Sequence, residues 1–138
     1  MKKYSFVEHT ADVFVEGYGS TLKEAIENTA LGLFAFTADL KKVKENKNVI
    51  IKQSAASISE LVSFVLNELV SESDAGELFF KKFVVNKLDL TKLVLEGVAY
   101  GSKMTPEAGE EHVKAVTHHG ALVFKGDNGW VVRVLLDI

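Results

Sequence analysis

Two capping boxes constrain this chain more than any other feature. In Thr21-Leu22-Lys23-Glu24 and Ser57-Ile58-Ser59-Glu60 a hydroxyl stands where it can accept from first-turn N–H groups, and a glutamate three residues on can reach back. Each box opens a stretch with apolar residues at spacings of three and four. Leu22, Ala25, Ile26, Ala30, Leu33 and Phe34 follow the first, and Ile58, Leu61, Val62, Val65, Leu69 and Val70 the second. The spacing predicts one helix from Thr21 to near Asp39 and another from Ser57 to about Ser71. Each must bury a stripe, and a chain of 138 residues with 47% hydrophobic composition has enough apolar material for one shared core.

What surrounds the helices reads as strand. Tyr4 to Glu8 and Val13 to Gly17 alternate, separated by His9-Thr10-Ala11-Asp12. The charged run Lys41 to Lys47 is a loop or exposed strand that enters a buried one at Val49-Ile50-Ile51. Leu78 to Val85, Lys92 to Tyr100, Val113 to Phe124 and Trp130 to Leu136 are rich in β-branched and aromatic residues. The last two join through Gly126-Asp127-Asn128-Gly129, a hairpin signal whose residues tolerate positive φ. The expected fold class is α+β: a single layered domain, residues 1–138, of two amphipathic helices packed with six or seven largely antiparallel strands. With no repeating βαβ pattern, a Rossmann fold is disfavoured.

Composition narrows the chemistry. Without cysteine there is no disulfide, thiolate metal site or Cys nucleophile. A net charge of −3 is too balanced for a protein that holds RNA or DNA by charge alone, so any nucleic-acid role is expected to be indirect. No secretory leader and no run of about 20 apolar residues is visible, which places the expected protein in the cytoplasm, away from membranes. There is no G-x-G-x-x-G after a strand, no P-loop, no H-E-x-x-H and no G-x-S-x-G.

The residues able to carry chemistry are few. Asp12 interrupts a strand-like run, either as a solvated turn residue or as a carboxylate at the rim of a sheet. Asp137 follows the apolar run Trp130 to Leu136, in which Arg133 is the one charge, and precedes Ile138. Its side chain and an Ile138 carboxylate would lie within one residue of each other, as a frayed end or as two anions needing a cation. If Asp12 comes near them, the three carboxylates form an all-oxygen site for a hard ion such as Ca²⁺ or Mg²⁺. His118 and His119, as neighbours on a regular strand, point to opposite faces and do not ligate one ion together. Glu110, Glu111 and His112 follow a Gly/Pro-containing loop where acidic pairs are ordinarily solvated. Lys114 is either a surface lysine or a neutralising partner for a carboxylate cluster.

Several segments together resemble the archease family: Glu8-His9-Thr10-Ala11-Asp12, Ser20-Thr21-Leu22-Lys23-Glu24-Ala25, Leu66-Asn67-Glu68-Leu69, Val113-Lys114-Ala115-Val116-Thr117 with His119, and the closing Asp137-Ile138. The resemblance spans essentially the whole chain. It implies a small α+β protein that is not an enzyme but a cofactor of an RtcB-type RNA-splicing ligase, promoting guanylylation and multiple turnover, as in tRNA splicing. RNA is then met only indirectly, through the ligase. The resemblance also implies a divalent metal ion, Ca²⁺ foremost with Mg²⁺ or Mn²⁺ as alternatives, held at an acidic tip that maps onto Asp12, Asp137 and the carboxylate of Ile138. His9 and His119 match positions near that pocket without an assigned role. The stretch Gly101 to Gly109 departs from the family's acidic, Arg-His-containing loop, and His112 and His118 stand where Glu and Tyr are common, so no partner contact transfers there. The competing readings are a metal-dependent hydrolase with His119 as base and a chaperone-like binding module.

Overall fold

The computed structural model describes residues 2–9 and 12–138, leaving out the side chains of His9, His118 and His119. Both capping boxes form, with a one-residue offset. The first helix, α1 (Leu22–Thr37), is capped by Thr21, whose Oγ1 accepts from the Glu24 N–H at 3.1 Å, while Glu24 Oε1 accepts from the Ser20 N–H at 3.0 Å. The second, α2 (Ile58–Gly76), repeats the arrangement: Ser57 Oγ accepts from the Glu60 N–H at 3.2 Å and Glu60 Oε1 from the Ala56 N–H at 3.0 Å. In both, the carboxylate closes on the residue before the cap instead of on the cap itself. Beyond the expected stop at Ser71, α2 continues to Gly76. Its last turn is polar and so offers no apolar period to read. The stop comes from the backbone, where Glu77 takes a left-handed φ of 52° and donates its N–H to the carbonyls of Asp74 and Ser73.

Seven strands accompany the helices among the described residues: β1 (Tyr4–His9), β2 (Asp12–Gly19), β3 (Lys47–Ser54), β4 (Leu78–Asp89), β5 (Val94–Lys103), β6 (Ala115–Gly126) and β7 (Gly129–Asp137). They form a four-stranded sheet in the order β1-β2-β7-β6 and a three-stranded sheet in the order β3-β5-β4, every neighbouring pair antiparallel. The expected class is what is found, with three local corrections. Asp12 belongs to β2 and is not part of a connecting turn. Within β3 only Ile51 is fully buried while Ile50 is 73% exposed, because an edge strand with one covered face sends alternate residues to solvent. In the hairpin after β6, Asp127 and Asn128 keep negative φ, and Gly129 alone takes a positive value, 122°.

Both helices lie between the two sheets. One side of α1 packs on β2 and β7 and the other on β4, while α2 packs on β6 and on the three-stranded sheet. Val15, Val132, Val134 and Leu136 from the first sheet share one buried cluster with Ile51, Phe80, Phe83 and Leu95 from the second. Phe34 of α1 meets Phe80 of β4 with ring centroids 5.6 Å apart. The divergent segment after β5 is a strap across the end of α1. Glu110 and Glu111 donate their N–H groups to the carbonyls of Thr37 and Phe36, at 2.9 and 3.2 Å, and so satisfy acceptors that a helix end leaves open.

Close approach of α1 to β2 depends on Gly17. A Cβ there would overlap Thr29 Oγ1 and the Thr29 backbone nitrogen, and Thr29 is fully buried with its hydroxyl donating to the Ala25 carbonyl at 2.7 Å. Backbone atoms cannot yield as a flexible side chain can. Gly17→Ala is therefore expected to destabilise the fold by about 3 kcal/mol, read as a lower urea midpoint at unchanged slope. Gly126→Ala, whose nearest neighbour is the Gly129 carbonyl oxygen at 3.8 Å, is expected to shift stability by less than about 0.5 kcal/mol.

Candidate functional site

Strand register decides where the acidic residues meet. In β2 the buried positions Val13, Val15, Gly17 and Gly19 face α1, which leaves Asp12, Phe14, Glu16 and Tyr18 on the opposite, outer face. In β7 the buried Val132, Val134 and Leu136 do the same, leaving Val131, Arg133, Leu135 and Asp137 outward. The two strands pair so that Asp12 stands directly opposite Asp137, while His9 of β1 pairs with Asp12 and Ala115 of β6 with Asp137. One transverse row, His9-Asp12-Asp137-Ala115, thus closes the end of the outer face.

Asp137 is not part of a frayed end. It is in register with strands on both sides, and its carbonyl accepts from the Lys114 N–H at 2.8 Å. Directly opposed residues of an antiparallel pair have Cβ atoms about 5 Å apart. Like charges placed directly opposite across such a pair are destabilising, by up to about 1 kcal/mol. Another row on the same two strands shows the ordinary remedy: Glu16 stands opposite Arg133 at 3.3 Å, with the guanidinium 4.5 Å above the Phe14 ring. Among the described residues no basic side chain forms an ion pair with Asp12 or Asp137. Lys114 is brought beside Asp137 through its backbone only.

Asp12 is half-buried and Asp137 exposed, and both offer hard oxygen donors of the kind Ca²⁺ or Mg²⁺ takes. The described residues contain no group of three His, Asp or Glu side chains arranged for a metal. Further ligands would have to come from the Ile138 carboxylate, next along the chain, or from groups outside the description. The side chains of His9, His118 and His119 fall there. The backbone of β6 does, however, slip in register between Thr117 and Leu122, with Gly120 at a φ of 78°. The expectation that His118 and His119 point to opposite faces concerns side chains that lie outside the description.

The other sequence candidates serve the strap. The side chains of Glu110 and Glu111 are exposed, and His112 Nε2 lies 3.7 Å from Asp74 Oδ1 at the rim of a small cleft. That cleft is apolar, lined by Leu33, Phe34, Leu69, Phe80, Met104 and Val113. The Glu16–Arg133 pair was not among the sequence candidates. Arg133 is visible as the one charge in an apolar run, but its partner is fixed only by the β2–β7 register. Among the described residues no helix is long and apolar enough to cross a membrane.

Residues 4–138 match the model of the Archease protein family (MTH1598/TM1083). The archease proteins of Sulfolobus acidocaldarius and Pyrococcus furiosus are 34% and 35% identical to the chain, over 140 and 143 aligned positions that cover all of both partners. The solution structure of Methanobacterium thermoautotrophicum protein 1598 superposes with a TM-score of 0.84 at 28% identity, covering 100% of each chain. The crystal structure of a Thermotoga maritima archease, described as a possible chaperone, superposes with a TM-score of 0.64 over 96% of this chain and 94% of that one; at 14% identity it bears on the fold alone. Matched along nearly its whole length by the family model and by full-length relatives, the chain belongs to the archease family.

Proposed function

We propose that this protein acts as a cofactor protein, not a catalyst, activating an RtcB-type RNA-splicing ligase through an acidic tip that holds a divalent cation. The observation that supports this reading is the opposition of Asp12 and Asp137 on adjacent strands, with no basic partner among the described residues. Asp12, Asp137 and the carboxylate of Ile138 would hold the ion, Ca²⁺ foremost, with Mg²⁺ or Mn²⁺ acceptable to the same oxygens. When bound, a divalent ion supplies positive charge against phosphate oxygens, which nucleotidyl transfer requires. The protein's own residues orient the carboxylates: β2 and β7 fix their spacing, and Ala115 beside them leaves the row uncrowded. Guanylylation and RNA joining stay with the ligase, and RNA selection with it.

A chaperone-like role is the second reading, favoured by the exposed apolar residues Val7, Leu122 and Phe124 on the outer face of the four-stranded sheet. Suppression of aggregation for unrelated clients, lost in Leu122→Glu/Phe124→Glu, would establish it in place of the ligase role.

Two outcomes follow from the acidic tip. In EDTA, Asp137→Asn should be more stable than the wild type by up to about 1 kcal/mol, because a like-charge contact is removed. Calcium at a hundredfold excess over its dissociation constant should stabilise the wild type by about 2.7 kcal/mol and leave Asp137→Asn unmoved, measured by urea unfolding. With ligase limiting and GTP and a divalent metal supplied, the protein should raise joining from about one turnover per ligase to many. Asp12→Ala/Asp137→Ala, checked for folding by circular dichroism, should lose that stimulation by at least about tenfold. A double variant that stimulates as well as the wild type would remove the acidic tip from the mechanism.

A further inference from the structure

The near-neutral balance of the whole chain conceals a segregated one. The three strands of the β3-β5-β4 sheet carry Lys47, Lys52, Lys81, Lys82, Lys87 and Lys103 against two carboxylates, Asp89 and Glu96. By contrast α2 carries Glu60, Glu68, Glu72 and Asp74 with no basic residue. Register separates the two faces of the sheet. Rows with Val49, Ala99 and Phe83, or Ile51, Gly97 and Val85, turn to the helices; between them Asn48-Tyr100-Lys82, Ile50-Val98-Val84 and Lys52-Glu96-Lys87 turn to solvent.

Two β-bulges add to the outer rows. The pairing of β4 with β5 shifts between Phe80 and Lys82 and again between Val85 and Lys87, inserting Lys81 and Asn86. The first bulge sets Lys81 beside Lys82. Glycines of β5 stand at both bulges: a Cβ on Gly101, opposite Phe80 at the first, would overlap the Phe79 carbonyl, and one on Gly97, opposite Val85 at the second, would lie 2.6 Å from the Val84 carbonyl oxygen.

Lys82 Nζ lies 6.0 Å from the centre of the Tyr100 ring, and Ile50 beside it is 73% exposed. Lys87 is matched by Glu96 at 3.9 Å, whereas Lys52, Lys81 and Lys82 have no ion pair among the described residues. Lysines that only guard edge strands against edge pairing need no flat aromatic between them. Here the central strand contributes Tyr100 and Val98 to the same face, so cations flank a ring and an apolar stripe. That combination suits a polyanion with flat hydrophobic groups, phosphates against the ammonium groups and bases against the ring.

We propose that the outer face of the β3-β5-β4 sheet binds single-stranded nucleic acid, with Lys52, Lys81 and Lys82 contacting phosphates and Tyr100 stacking on a base. This does not rest on the ligase reading, because the face lies on the other sheet from Asp12 and Asp137. It alters the expectation drawn from net charge: the face, not the average, sets local attraction.

The test is fluorescence anisotropy with a labelled, unstructured RNA of about 20 nucleotides, a DNA of the same sequence and a poly-glutamate peptide. Wild-type protein should bind the RNA at low salt, with affinity falling roughly twentyfold between about 50 and 200 mM salt for three phosphate contacts. Lys81→Glu/Lys82→Glu should weaken binding at least about tenfold, Tyr100→Ala about fivefold or more, and Tyr100→Phe little. Lys23→Glu, an exposed charge reversal on α1, should have no such effect. All these side chains are on the surface, and circular dichroism checks each variant's fold. Equal affinity for RNA and DNA upholds the proposal with the backbone and bases read; preference for RNA upholds it with the ribose read as well. No binding at low salt, indifference to Lys81→Glu/Lys82→Glu, or equal affinity for poly-glutamate would overturn it, the last in favour of an acidic protein partner.

Discussion

Antiparallel pairing of β2 with β7 is the interaction on which the architecture turns. It joins residues 12–19 to residues 130–137, near the two ends of the sequence, at the centre of the four-stranded sheet. Closing so long a loop is opposed by chain entropy, which local hydrogen bonding does not overcome by itself. The compensation comes from the buried side of the same pair, where Val15, Val132, Val134 and Leu136 pack into the core shared with α1. β1 and β6 then add at the edges, and α2 docks on β6. The outer side of the pair inherits whatever the register dictates, and one register that buries the valines also opposes Asp12 to Asp137.

Local features of the fold were legible because they are written in local chemistry. Thr21, Glu24, Ser57 and Glu60 announce both helix starts, whereas the nearly continuous apolar run of β7 reads as wholly buried and only Val132, Val134 and Leu136 are. The end of α2 was not legible: Glu72, Ser73 and Asp74 carry no apolar period, and the stop is a left-handed Glu77 where a glycine would be the usual signal. Nor was the exposure of Ile50, since a run of three β-branched residues reads as buried whether or not its strand is at an edge. Asp12 and Asp137 could each be singled out by their contrast with apolar neighbours. Their opposition could not, because a shift of the register by one residue would have sent one of them inward.

Lys114 and the strap show a different limit. The segment Gly101 to Gly109 reads as a divergent loop and invites a functional explanation. Its observed work is structural: Ala108 is buried, its carbonyl accepts from Asp39 N–H at 2.8 Å, and the following N–H groups complete the end of α1. A loop can vary widely in side chains while its backbone performs this task, since the bonds it makes are between main-chain atoms. Lys114 then emerges from the strap beside Asp137, positioned by the same backbone.

Two rows on one strand pair separate stability from function. Glu16 and Arg133 form an ion pair, and the guanidinium covers Phe14, so the charges of that row are matched within the chain. Asp12 and Asp137 occupy an equivalent relation on the same face and gain nothing from each other. Replacing either by an isosteric neutral residue removes the like-charge opposition and leaves the buried face of the strands, Val15, Val132, Val134 and Leu136, untouched. The two rows therefore differ in kind: one pairs opposite charges, and the other sets two carboxylates opposite each other with no basic partner among the described side chains.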